Sequence, residues 1–156
     1  RDVFYVSLGG FDAHSMVESQ METSLAHVDE ALASFAAEMK AQGLWDQVTI
    51  MQTSEFGRTL TSNGDGTDHA WGGNYFVAGG AVRGGQILGE FPNDLSPSGD
   101  QILHRGRVVP STSWDQVWAG VGEWFGVDSS ALKSTVLPNY GNFPHHFTGA
   151  DIFEHF

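Results

Sequence analysis

The chain contains no cysteine. Disulfides and thiolate metal ligands are therefore excluded, and any metal it holds must be bound by His, Asp or Glu. Basic residues are scarce: seven Lys and Arg stand against nineteen Asp and Glu, a formal net charge of −12. A nucleic acid or an anionic membrane needs a basic face, so neither is expected as a partner. Acidity of this kind is first of all a solvated surface, and it favours cations. No apolar run approaches the roughly 20 residues that span a bilayer, and no charged-then-apolar leader is visible in the sequence as it stands. Also missing are a glycine-rich phosphate loop, a Gly-x-Ser-x-Gly elbow and a Cys/His pair, which leaves metal or carboxylate chemistry.

What is present suits one domain spanning 1–156. A chain of 156 residues, 40% hydrophobic and 17% charged, can bury roughly 70% of its unfolded surface. Its 20 glycines announce many turns and close backbone approaches. The chain starts at Arg1-Asp2 and enters an apolar run at once, which suggests part of something longer.

Val3-Phe-Tyr-Val-Ser-Leu8 reads as a buried strand of a parallel sheet. Met21, Leu25, Val28, Leu32, Phe35 and Met39 recur in steps of four and three, a helix with a narrow apolar stripe, ended by Gly43. Val48–Thr53 reads as a second strand, so strand, helix and strand form a right-handed crossover. A third strand is expected at Tyr75–Ala78, and a small hairpin from Gln86–Phe91 and Arg107–Val109. Ser113-Trp-Asp-Gln116 has the capping-box spacing and opens a helix carrying Val117, Trp118, Val121, Trp124 and Phe125, closed by Gly126. Its tryptophans read as core. Residues 137–156 show no periodicity and read as an ordered, irregular tail.

The chemistry-bearing residues cluster behind the expected strands. Asp12 and His14 follow the first and, at i and i+2 of extended chain, point the same way. Glu55 and Arg58 follow the second, and Asp68-His69 precede the third. In open α/β sheets ligands bind beyond the carboxyl ends of the strands. Two histidines and a carboxylate, Asp12, His14 and His69, are a common way to hold a divalent ion with a position left open. Imidazole with carboxylate suits Zn²⁺, Mn²⁺ or Fe²⁺ better than Ca²⁺. Each residue also has a plainer reading: Asp12 as a turn or cap residue, Glu55 and Arg58 as an ion pair, Arg58 bridged to Asp65 or Asp68, and Asp68-His69 as loop packing. His104, Arg105 and Arg107 form the only basic cluster, read as a solvated hairpin sooner than an anion site.

Four motifs in order, Leu8-Gly-Gly-Phe-Asp-Ala-His14, Thr53-Ser-Glu-Phe-Gly-Arg-Thr59, Gly66-Thr-Asp-His-Ala-Trp-Gly-Gly73 and Gly79-Gly-Ala-Val-Arg-Gly-Gly85, resemble the DUF1501 family over residues 3 to about 143. The resemblance implies membership of the alkaline phosphatase/sulfatase-like proteins: an α/β fold with a mostly parallel sheet flanked by helices and a metal site at the strand ends. Within that superfamily Asp12 and His14 look like a first ligand pair, Glu55 like the acid of a second pair and His69 like a further histidine. Phe56 stands where the second pair would carry its histidine, and the Asp-x-His spacing is short. The resemblance also implies an exported protein, periplasmic or secreted, of which this chain is the C-terminal portion, with the nucleophile and other ligands on an N-terminal remainder.

The resulting expectation is a metal-dependent, hydrolase-like protein acting on small anionic phosphate or sulfate esters. Asp12, His14 and His69 would hold one ion, Zn²⁺ or Mn²⁺. Glu55 would hold a second or fix the geometry of the first, and Arg58 would neutralise the substrate oxyanion. The alternative is a non-catalytic secreted binding or assembly protein that keeps the fold.

Overall fold

The computed structural model describes residues 1–155; the last residue of the expected 137–156 tail lies outside them. The helical expectations hold where local signals are strongest. Helix α1 spans Val17–Ala41, and Gly43, at φ 69°, supplies the left-handed conformation just past its end. Helix α2 spans Trp114–Phe125 and opens on the expected capping box: the Gln116 amide donates to Ser113 Oγ at 3.2 Å, and the Ser113 amide donates to Gln116 Oε1 at 2.7 Å. Gly126, at φ 89°, closes it.

The sheet is different in kind. Strands β1 (Thr49–Met51), β2 (Gly57–Arg58), β3 (His69–Ala70), β4 (Val77–Gly79), β5 (Ile102–Leu103) and β6 (Arg107–Val108) form three two-stranded ladders, β1–β4, β2–β3 and β5–β6, all antiparallel. This overturns the mostly parallel, alkaline phosphatase-like α/β sheet flanked by helices. The second and third expected strands exist as β1 and β4, but Ile50 faces Ala78 in an antiparallel register. Chain between them folds back on itself as the β2–β3 ribbon instead of crossing over. Residues 3–8 make no strand: Val3, Phe4, Tyr5 and Val6 are 81–88% exposed. A strand exists only where a second backbone accepts its amides, and none among the described residues pairs with this segment. Gln86–Phe91 likewise stays outside any ladder, the hairpin there being β5–β6.

The core lies at the far end of the chain from Val3. Ala81, Ile152 and Phe153 are buried with Val77, Val82, Val121, Trp124 and Phe147 packed on them, and Ala119, Leu132 and Leu137 form a second cluster beneath α2. The segment after 137 is thus a structural partner of α2. Its helix α3 (Gly149–Ile152) lies against α2, where a Cβ on Gly120 would strike the Thr148 carbonyl. Phe153 bridges to Val82, and the Glu154 amide donates to the Ala81 carbonyl at 2.8 Å. Of the helical tryptophans, Trp124 stacks on Phe153, while Trp114 meets Tyr75. No helix among the described residues is long and apolar enough to cross a membrane.

Candidate metal centre

Two pieces of chain, distant in sequence, build the site. The first is segment 10–14, fastened by its carbonyls. Gly10 accepts from Gln20 Nε2 (2.8 Å) and Ser24 Oγ (3.3 Å) of α1; Ala13, buried, accepts from Arg58 Nη2 at 2.6 Å; His14 accepts from Asn63 Nδ2 at 3.2 Å. The second is the β2–β3 ribbon with its loop 59–68. Asn63 shapes that loop, its Oδ1 accepting the amides of Asp65 (3.2 Å) and Gly66 (2.8 Å), as an Asn in a turn does. Gly66 is required at its position, because a Cβ there would collide with the His14 backbone.

Arg58 pins the two pieces together. Nε donates to Thr67 Oγ1 (2.9 Å), Nη1 to Asp12 Oδ1 (2.7 Å), and Nη2 to the carbonyls of Ala13 and Thr67. Of the five N–H groups of a guanidinium, four are taken and one on Nη1 remains. The partner of Arg58 is thus Asp12, neither Glu55 nor Asp65 nor Asp68.

Asp12, His14 and His69 converge. Asp12 Oδ1 lies 3.0 Å from His14 Nε2 and 2.9 Å from His69 Nε2, and the two Nε2 atoms are 3.1 Å apart. Among the described residues these three form a group able to hold a metal ion. Ligand atoms about 2.0–2.2 Å from a shared ion are themselves roughly 3 Å apart, so the triangle has the right size. Its chemistry fits too. Both imidazoles turn Nε2 toward Asp12 Oδ1, a donor set of two nitrogens and a carboxylate oxygen that suits a divalent ion.

Further contacts orient the ligands. His14 Nδ1 lies 3.4 Å from Asp68 Oδ1, the carboxylate–histidine arrangement that fixes ring orientation at metal centres. Asp68 is held by Asn63 Nδ2 (3.1 Å) and by Arg105 Nη2 (2.5 Å). Phe56 stacks on the His69 ring, centroids 3.9 Å apart and planes tilted 13°. Glu55 is exposed and outside the triangle. The sequence placed Asp68 in the candidate cluster and Phe56 at a ligand position without showing their supporting contacts, and it gave Asn63 and Arg105 no part in the site. The Asn-Gly-Asp-Gly turn was a visible signal for Asn63; nothing local announced the reach of Arg105 to Asp68.

Hydrogen bonding holds both site carboxylates below the usual range. For Asp12 the largest cause is the Arg58 guanidinium, followed by His69; for Asp68 it is the Asn63 amide, with Arg105 also contributing. Asp94, Asp128 and Asp151 are lowered by N–H and O–H donors of Ser96, Ser130 and Thr148. A carboxyl with a lower pKa folded than unfolded binds fewer protons in the native state. Its stabilisation is present above the ordinary Asp value of about 3.9 and disappears as pH falls through and below it. Urea midpoints should therefore drop between pH 5 and pH 3, and Asp68→Asn should shrink that drop; an unchanged slope would remove Asp68 from the account.

The model of the family described as protein of unknown function (DUF1501) matches residues 1–103. The chain belongs to that family. The matched span holds the triangle, Arg58 and Asp68, and ends before α2, short of the residue 143 to which the motifs pointed. No curated protein and no solved structure matches the chain.

Proposed function

We propose that the protein holds one divalent ion, Zn²⁺ or Mn²⁺, through Asp12, His14 and His69, and serves the hydrolysis of phosphate or sulfate esters. The observation that carries this reading is the 2.9–3.1 Å triangle of donor atoms. When bound, such an ion polarises an ester oxygen or acidifies a water. The chain's own residues do the rest: Asp68 and Phe56 keep the imidazoles aimed, Arg58 fixes the Asp12 carboxylate, and its remaining Nη1–H is a donor for an ester oxygen. Kinship with alkaline phosphatase/sulfatase-like proteins is part of the proposal and rests on the donor set, not on the sheet. The proposal is limited to one ion and assigns Glu55 no ligand role.

Calorimetric titration of the protein with Zn²⁺ and Mn²⁺, combined with an ester panel, is the test. One ion per chain is expected, with affinity lowered more than about a hundredfold in His69→Ala, a loss larger than that for outer contacts. Absence of stoichiometric binding would sink the reading. A second reading, a binding protein that uses the ion structurally, is favoured by Phe56 lying flat on His69; ion binding with no turnover of any ester would establish it.

A further inference from the structure

We infer that the ester handled at the Asp12–His14–His69 centre carries a bulky, apolar, ring-bearing alcohol portion, seated in the cavity on the other side of Arg58. This rests on the hydrolase reading above. The cavity measures about 750 Å³, within the range of small-molecule sites. Arg58 lines it while its Nη1 donates to Asp12 Oδ1 at 2.7 Å, so the ion-holding triangle and the cavity share a wall. Trp71, two residues beyond His69, lines it as well and is 65% exposed.

The lining chemistry selects the ligand. Tyr75, Phe76, Phe91 and Trp114 join Trp71 in facing the space, and rings of this kind bind flat apolar groups through area and stacking. Three of the longer polar side chains of the wall already have protein partners. Gln86 Nε2 donates to the Asp151 carbonyl (2.9 Å), Arg83 Nη1 to the Ala150 carbonyl (3.0 Å), and Gln52 Nε2 to the Thr53 carbonyl (3.3 Å). A sugar needs such donors free to meet its hydroxyls; a ring system without hydroxyls does not. Charge agrees with an anionic ester. Arg58 and Arg83 line the cavity against a single carboxylate, Glu90, in a chain whose net charge is −12.

Equilibrium dialysis of the whole chain with 2-naphthol, the alcohol portion without an ester, tests this apart from catalysis, with methyl glucoside as the comparison. Saturable naphthol binding is expected. It should weaken about tenfold or more in Trp71→Ala, stay within about threefold in Trp71→Phe, and be unchanged in His69→Ala. Trp71 is too exposed for its loss to unfold the chain, and near-ultraviolet circular dichroism checks this. No saturable naphthol binding, equal binding by Trp71→Ala, or preference for methyl glucoside would each overturn the inference. Naphthol binding that depends on Trp71 in a protein that turns over no ester would support the cavity's ligand class and overturn the hydrolase reading instead.

Discussion

Arg58→Ala is expected to destabilise the protein by about 2–4 kcal/mol and to lower divalent-ion affinity at least tenfold, as loss of an outer contact does. Four hydrogen bonds disappear together, and their partners are not equivalent. Asp12 is exposed and can turn to water, but the carbonyl of Ala13 lies on a buried residue, and an acceptor left without its donor there costs its full desolvation. The guanidinium itself is only 25% exposed, so its bonds are worth more than those of a surface pair. The larger consequence is geometric. Arg58 and His69 face each other across the β2–β3 ribbon, and Arg58 is the link from that ribbon to Asp12. Without it, His69 alone on the ribbon still meets the carboxylate and the Ala13 carbonyl loses its donor, so the triangle loosens. Arg58→Lys should fail to restore ion affinity, because an ammonium cannot donate from a planar fork to Thr67, Asp12 and Ala13 at once. Urea unfolding and calorimetric titration of the two variants check both parts; full rescue by lysine would show that charge alone matters.

Phe153→Ala should cost about 3–5 kcal/mol, the range for deleting a buried aromatic. Phe153 is 1% exposed, stacks on Trp124 with ring centroids 4.6 Å apart, and sits where the chain bridges to Val82. Its removal leaves a cavity between α2, α3 and the segment after β4, which cannot collapse without moving the helices. Phe153→Leu keeps most of the volume and should cost roughly 1–1.5 kcal/mol. Denaturant midpoints measure the stability, and loss of near-ultraviolet signal from Trp124 locates the effect. A cost below about 1 kcal/mol for the alanine variant would place the core elsewhere.

How far each feature could be read from the residues follows from its range in sequence. The capping box at Ser113 and Gln116 and the glycines at 43 and 126 act within a turn of the helices they bound, and each was legible. The periodic stripe from Met21 to Met39 located α1 for the same reason. Asp12 and His14 were legible as a pair because two residues of extended chain bring side chains to one side. The direction of β1 against β4 was not, since Val48–Thr53 and Tyr75–Ala78 carry the same apolar pattern whichever way they pair. Nor was the role of Arg58. Its nearest acids in sequence are Glu55, Asp65 and Asp68, and its partner proved to be Asp12, brought in from 46 residues away.

The sequence by itself determined the ligand types available, the end of α1, both ends of α2 and the acidity, because composition, capping and periodicity are local properties of the chain. It also marked Asp12, His14 and His69 as candidates. Only the tertiary structure decided that these three meet at one point, that Asp68 and Phe56 stand behind them, that Glu55 stands apart, and that the sheet is three short antiparallel ladders. Pairing direction and convergence depend on which distant backbone satisfies each amide and carbonyl, and on how Arg58 and Gly66 let the loop settle against His14. No local pattern encodes either.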